Sequence, residues 1–281
     1  MKRNIAMLLT ATACSLVLVG TTSVADAGRG GSYSRIATAI NGGGTATIIA
    51  ELERAERLVC PSCVQPVMNL LDDDRFEVRE VAAWWFARRP AQKAMLHDRS
   101  VERLATGDSV QARNAADILG TFRHPQAIAP LAAAMSRSNL SAEARAHIMH
   151  ALGTIGHKSA NPALMLGMQD ASADTRLQAV TAWIAIRGQT DAAPALPLIG
   201  DSNLLVRRKA AAAVGFFSDG AGRQALEDRL LNDTDSVVRR NAAWALGQIG
   251  DAASRGALDQ AVNDESSLVR ATARAAKRQL R

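Results

Sequence analysis

The chain has 281 residues, with 33 Lys and Arg against 27 Asp and Glu, a formal net charge of +6 at pH 7 and 4% aromatic residues. A basic balance favours anionic partners without specifying a site. So few aromatics leave no base-stacking platform, so no nucleic acid is expected among the partners.

In chain order the first feature is a secretory signal. Lys2 and Arg3 precede an apolar stretch from Ile5 to Gly20, and the small residues Ala25 and Ala27 bracket Asp26. Residues 1–27 therefore read as a cleavable signal peptide, with a mature chain starting at Gly28 that is periplasmic or secreted. Losing Lys2, Arg3 and Asp26 would leave a net charge of +5. The apolar stretch falls short of the roughly 20 residues that cross a bilayer, and no later segment approaches that length, so no stable membrane insertion is expected. Cys14 does not read as a lipidation site, because Ala11 stands where lipoprotein signals usually carry Leu and apolar residues continue past the cysteine.

Residues 28–44 are rich in Gly, Ser and Thr, end in Gly42-Gly43-Gly44 and read as a flexible linker. Residues 45–63 hold an N-terminal capping helix and a CPSC turn. The helix is expected over Thr45 to Val59, with Ile48, Leu52, Ala55 and Val59 at helical spacing and Glu53 four before Arg57 on the solvated face. Cys60-Pro61-Ser62-Cys63 follows, the only cysteines left after signal removal. Val64 stands where haem attachment needs His, and zinc would need about four ligands where no second cysteine pair exists. Two readings remain open. One is a local disulfide in an oxidising compartment. The other is a redox-active dithiol, with the Cys63 pKa lowered at the start of a helix opened by Pro66.

From Val64 to Arg281 one segment recurs about seven times, most legibly as VRRNAAWALGQIG at Val238. The residues that align with its first arginine are Arg79, Ala112, Arg145, Arg176, Arg207, Arg239 and Arg270, spaced 31 to 33 residues apart. A period of this length belongs to a stacked solenoid rather than to one globular core. Each repeat reads as two helices. Pro66, Pro130, Pro162 and Pro194 are expected to open first helices, where a missing N–H is tolerated. Asp108, Ser141, Ser172, Asn203, Asp235 and Ser266 are expected to cap second helices, and Arg75 fills that slot in the first repeat. Small or apolar residues three, four and seven after the anchor, such as Ala242, Ala243 and Leu246, form one buried stripe. Gly120, Gly153, Gly215 and Gly247, eight after the anchor, mark positions of close helix contact.

The pattern D-x(5)-VR-x(2)-A-x(2)-ALG-x-IG resembles HEAT repeats, specifically the short HEAT-like repeat named after phycobilisome lyases. The resemblance implies an all-α fold, a right-handed α-solenoid of about seven two-helix repeats of the ARM/HEAT type. It also implies structural roles for the recurrent Asp and Arg. Asp73, Asp170, Asp201, Asp233 and Asp264 each lie six before an anchor, Arg79, Arg176, Arg207, Arg239 and Arg270. They are expected to form ladders tying successive loops together. Thr106 and Ala112 in the second repeat, and Asn139 in the third, should leave that ladder weakest there. The same repeat serves bilin lyases, deoxyhypusine hydroxylase and scaffolds, so it does not by itself assign an activity.

No complete catalytic set is legible. There is no nucleophile elbow or phosphate-binding loop. None of His97, His124, His147, His150 and His157 is followed by the Glu of the iron-binding pairs of deoxyhypusine hydroxylase. His147 and His150 lie three apart and could share a metal, but no carboxylate or cysteine is expected on their face and a groove-lining pair is the simpler reading. No cofactor or metal is therefore expected. Positions one, five and nine after the anchor share a face beside the buried stripe. They bring forward Trp84 and Arg88, His150, Arg208 and Phe216, and Arg240, Trp244 and Gln248 as a partner-binding surface. Trp84 and Trp244 could equally fill space between adjacent helices. The function expected is a non-enzymatic exported scaffold or adaptor that binds an envelope protein or an anionic peptide along the concave face. The alternative is a thiol redox factor using Cys60 and Cys63, with the repeats as docking surface.

Overall fold

The structure, a computed structural model, describes residues 31–281. The signal peptide, its cleavage site and the first residues of the expected linker lie outside the described residues. Among the described residues all regular structure is helical and no helix is long and apolar enough to cross a membrane. The helices come in pairs. The first repeats are α3 (Pro61–Asn69) with α4 (Phe76–Phe86), α5 (Pro90–Thr106) with α6 (Ser109–Phe122), and α7 (Ile128–Ala134) with α8 (Ala142–Ile155). The rest are α9 (Asn161–Gly167) with α10 (Ala173–Ala185), a 3-10 segment (Ala193–Gly200) with α11 (Leu204–Phe217), α12 (Arg223–Asn232) with α13 (Ser236–Ile249), and α14 (Arg255–Ala261) with α15 (Ser267–Lys277). The all-helical solenoid of seven two-helix repeats expected from the period is thus present.

Second helices stack on one another in an unbroken row: α4, α6, α8, α10, α11, α13 and α15. Their Ala stripe is what lets them approach. Ala210, Ala211, Ala242, Ala243 and Leu246 are all fully buried. The glycines complete the contact, because a Cβ on Gly153 would lie 2.8 Å from the Cα of Ala182, and one on Gly247 would lie 2.8 Å from the Cα of Ala276. Gly120 and Gly215 meet Ala151 and Ala245 in the same way, with Cα distances of 2.9 and 2.7 Å. Only a residue without a side chain fits at that separation.

Residues 33–42 correct the expected linker. They form α1 (Tyr33–Gly42), which is followed at once by α2 (Thr45–Arg54). Ser32 accepts the Arg35 N–H at the start of α1, and Gly43, with φ 68°, closes it in the left-handed conformation that glycine favours. Ile36 and Ala39 are buried, and Arg35 reaches Glu51 on α2 at 3.1 and 3.0 Å. α1 packs on α3 and α2 on α4, so the N-terminal cap is a helix pair that mimics another repeat rather than a single helix on a tether. α2 also ends earlier than expected. Ile48, Leu52 and Ala55 are buried, but Val59 lies beyond the helix and is 91% exposed.

Helix starts follow the expected logic with two corrections. Asp108, Ser141, Asn203 and Asp235 accept N–H groups of the following turn through their side chains. Ser172 and Ser266 occupy the cap position without doing so. There the aspartate two residues earlier takes the cap's own N–H, from Ser172 to Asp170 at 2.8 Å and from Ser266 to Asp264 at 2.7 Å. Among the prolines, Pro130, Pro162 and Pro194 sit in a first turn, whereas α3 is opened by Pro61 with Pro66 inside it. Pro194 and Pro197 fall in one eight-residue segment. Two missing N–H groups so close together explain why the first helix of the fifth repeat is 3-10 rather than α.

Candidate functional site

The recurrent Asp and Arg build a ladder between repeats. Arg145 binds Asp170 at 2.6 and 3.1 Å, Arg176 binds Asp201 at 2.7 and 2.7 Å, Arg207 binds Asp233 at 2.8 and 3.2 Å, and Arg239 binds Asp264 at 2.7 and 3.0 Å. Each arginine reaches forward to the next repeat, and from Arg176 onward each also donates to two carbonyls of its own preceding loop. Each of these aspartates accepts the N–H two residues on as well, so one carboxylate shapes its loop and fastens the neighbouring repeat. Burial opposes ionisation of Asp170, Asp201 and Asp233, but the hydrogen bonds and charge of the arginines outweigh it and hold all three below the usual carboxylate range. Arg145 corrects one expectation, because its rung is intact although its own repeat carries Asn139. Arg270, at the end, bonds only the Asp264 and Glu265 carbonyls among the described residues.

At the N-terminal end the ladder is replaced. Asp73 pairs with Arg75, at 2.8 Å, rather than with an arginine of another repeat. Arg79, 1% exposed, binds the buried Asp117 on α6 at 2.8 and 2.7 Å. Asp117 Oδ1 is 2.6 Å from His147 Nδ1 on α8. A carboxylate ion-paired to arginine is an acceptor, so Nδ1 donates to it, and whenever the ring carries one proton Nε2 is the acceptor. Phe76 packs edge-on against both His147 and His150, with ring centroids 5.7 and 5.4 Å away. Loss of hydration in this crowded setting pushes the His150 pKa down, although the residue is still exposed in part.

These side chains line a cavity of about 490 Å³ between α4, α8 and α10. Phe76, Ala146 and Leu177 form its apolar wall. Glu143, Asp174 and Gln178 join the two histidines on its polar side. A hydrogen bond from Arg113 at 2.8 Å holds the Glu143 carboxyl below its ordinary pKa. No group of three or more metal-ligating side chains occurs among the described residues.

The expected partner-binding residues fall into three places. Trp84 and Arg88 meet in the first repeat, with the guanidinium 3.8 Å over the ring and Arg88 Nε 2.5 Å from Glu56, so both are largely committed to each other and to the cap. His150 belongs to the cavity just described. Phe216, Trp244, Arg240 and Gln248 gather on α11 and α13. Phe216 is 60% exposed and Trp244 39%. A Cβ on Gly215 would stand 2.6 Å from the Trp244 ring, so the missing side chain is what lets that ring lie against α11. Arg240 donates to the Asn241 side chain at 2.9 Å and has no carboxylate partner among the described residues. Gln248 bonds Gln279 at 3.4 Å. Arg208 is a correction: its guanidinium is spent on Asp235, at 2.8 and 2.5 Å, and forms a second rung between the fifth and sixth repeats.

Cys60 and Cys63 are joined as a disulfide, with Cα atoms 5.3 Å apart. Cys60 is the N-cap of α3 and partly exposed, and Cys63 is buried. Cys60 also lines a cavity of about 640 Å³ with Arg57, Arg88 and Arg89. Arg89 has no carboxylate partner among the described residues. It lies 3.2 Å over the Trp85 ring and donates to Trp85 and Leu58 carbonyls, and burial lowers its pKa to about 10. Trp85 and Trp183 pack inside, and their N–H groups donate to the Ala55 and Asp191 carbonyls.

The paired helices, the forward Asp–Arg rungs and the Gly–Ala contacts agree with a family match to HEAT repeats at residues 98–185 and 192–277, well over half of the chain. The chain belongs to the HEAT-repeat family. No curated protein matches it. Among solved structures it is similar to YibA of Escherichia coli, at 14% identity and a TM-score of 0.58, over 88% of this chain and 92% of that one. It is also similar to Kap95p in its complex with RanGDP, at 14% identity and a TM-score of 0.54, over 83% of this chain and 39% of that one. The phycocyanin lyase complex CpcE–CpcF of Nostoc is matched at 22% identity, over 76% of this chain and 86% of that one, with a TM-score of 0.42. For YibA and Kap95p the likeness is one of fold alone.

Within the HEAT array the residues missed from sequence are Asp117 and the cavity-lining role of His147. Asp117 sits five after its anchor, where other repeats carry Trp, His, Thr or Ala. A lone carboxylate at a slot otherwise free of acids, in the repeat whose anchor Arg is replaced by Ala112, is the signal that could have found it.

Proposed function

We propose that the chain is a non-enzymatic, exported scaffold or adaptor that binds a protein or anionic peptide along the concave face formed by its second helices. The observation that carries this reading is the patch on α11 and α13: two exposed aromatics, Phe216 and Trp244, flanked by an arginine with no carboxylate partner among the described residues. Exposed aromatics next to Arg are the composition of binding hot spots. A partner carboxylate would meet Arg240, and apolar side chains would cover the two rings. Kap95p, which shares the fold, is a protein with a protein partner, RanGDP. The experiment is recovery of partners from the envelope fraction by the mature chain and by an Arg240→Ala, Trp244→Ala variant of unchanged circular dichroism. Loss of the two anchors should weaken recovery by about tenfold or more. Equal recovery of every partner refutes the proposed face.

A second reading rests on Cys60, the sulfur of the pair that solvent reaches. In it a partner thiolate attacks Cys60 Sγ, the Cys60–Cys63 bond breaks, and Cys63 leaves as a thiolate at the start of α3, where the helix dipole favours the anion. Thiol counting in defined redox buffers tests it. A pair still oxidised below about −300 mV behaves as a structural disulfide and excludes this role.

A further inference from the structure

We infer that the cavity between α4, α8 and α10 receives an arginine or lysine side chain of the bound partner, a deepening that rests on the peptide-binding reading above. The charged groups on its wall are carboxylates, beside the histidines and Gln178. Glu143 and Asp174 supply carboxylates, and Asp174 has no partner among the described residues. His147 offers Nε2, because Asp117 holds its proton on the other nitrogen. No Lys or Arg lines the cavity. The two arginines nearby do not face a ligand: Arg79 is held by Asp117, and Arg113 gives Nη1 to Glu143 while its Nη2 is buried. An anionic ligand would therefore meet carboxylates with no cation free to receive it. A guanidinium, with five donors and no acceptor, or an ammonium, with three, has the complementary set. The alkyl stem of either side chain would lie along Phe76 and Leu177, as long cationic side chains commonly do on apolar surface.

The placement also orients the partner. His147 lies on α8 and Trp244 on α13, three helix steps along the row. At about 10 Å a step this is roughly 30 Å, the span of about nine extended residues. The partner segment is thus expected to carry a basic residue near the third and fourth repeats and an acidic one near Arg240. The buried Asp117 acquires a purpose in this arrangement. Replacing a buried ion pair by apolar side chains is often neutral or better for stability, but only the ion-paired carboxylate fixes the His147 tautomer toward the cavity.

The test is a titration of the mature chain with N-acetyl-arginine amide at about pH 7.5. It follows the ring resonances of His147 and His150 by NMR, assigned with a His150→Gln variant. A saturable millimolar shift is expected with blocked arginine and none with blocked glutamate. A Glu143→Gln, Asp174→Asn variant should bind blocked arginine about tenfold more weakly or worse. No saturable shift, an equal shift with blocked glutamate, or undiminished binding in that variant would each overturn the proposal. Free arginine or spermidine binding more than about tenfold tighter than blocked arginine would assign the cavity to a small cation and overturn the peptide assignment. The Arg240→Ala, Trp244→Ala variant should bind blocked arginine normally. Failure of the cavity and failure of the aromatic patch are therefore read separately.

Discussion

Replacing Arg176 by Gln removes four hydrogen bonds at one stroke. Two run to the Asp201 carboxylate at 2.7 Å each, and two to the Asp170 and Ala171 carbonyls at 2.9 and 3.0 Å. The paired side chains are only 13% and 6% exposed. Breaking one partner of a buried pair costs about 3–5 kcal/mol, because the other charge stays buried without compensation. Asp201 would keep the Asn203 N–H at 2.7 Å, which places the cost at the lower end, about 3 kcal/mol. Arg270 is the internal reference. It makes the same two carbonyl bonds, at 2.7 and 2.9 Å, but meets no carboxylate among the described residues. Arg270→Gln should therefore cost only about 1 kcal/mol. Urea denaturation followed by far-UV circular dichroism and tryptophan fluorescence compares the two, and Trp183 reports from the same helix, α10, that carries Arg176. A cycle with Asp201→Asn should give a coupling of about 2 kcal/mol. Because repeat arrays can unfold segment by segment, the same probe must be compared across variants. If Arg176→Gln costs no more than Arg270→Gln, or if the coupling lies within about 0.5 kcal/mol of zero, the rungs do not hold successive repeats together.

Other outcomes follow from the same contacts. Gly153→Val forces α8 away from Ala182 and should destabilise by about 1–3 kcal/mol in thermal melts; Gly256→Ala, in α14 with nothing within 4 Å of its new methyl, should stabilise by about 0.5–1 kcal/mol. The hydrogen bond from Arg208, outweighing desolvation, holds Asp235 at about 2, below its ordinary 3.8. A carboxylate depressed in the folded state contributes stability that is present above the unfolded pKa and is lost as pH falls from 3.8 toward 2. Asp235→Asn, which keeps a capping oxygen but not the charge, should flatten that part of an acid titration followed by circular dichroism. Removing the disulfide with Cys60→Ser and Cys63→Ser should cost no more than about 2 kcal/mol, since the closed loop is short. A loss well above that in reducing-agent melts would show that the pair braces the junction between the cap and the first repeat.

What the sequence determined by itself was everything that repeats at short range. The period, the two-helix unit, the buried Ala stripe and the glycines facing Ala151, Ala182, Ala245 and Ala276 follow from helical spacing and side-chain size, which act over a turn or two. α1 escaped notice because Ser, Thr and Gly dominate residues 28–44, and the burial of Ile36 and Ala39 exists only once α3 is beside them. Tertiary structure alone decided which charge meets which. Each rung of the ladder joins residues 25 or 26 apart, Arg79 reaches 38 residues on to Asp117, and Asp117 meets His147 30 residues later. The same stacking took Arg208 out of the expected binding surface and left Arg240 within it. Local propensity sets each helix, but the partner of a long charged side chain is set by how one repeat is turned against the next.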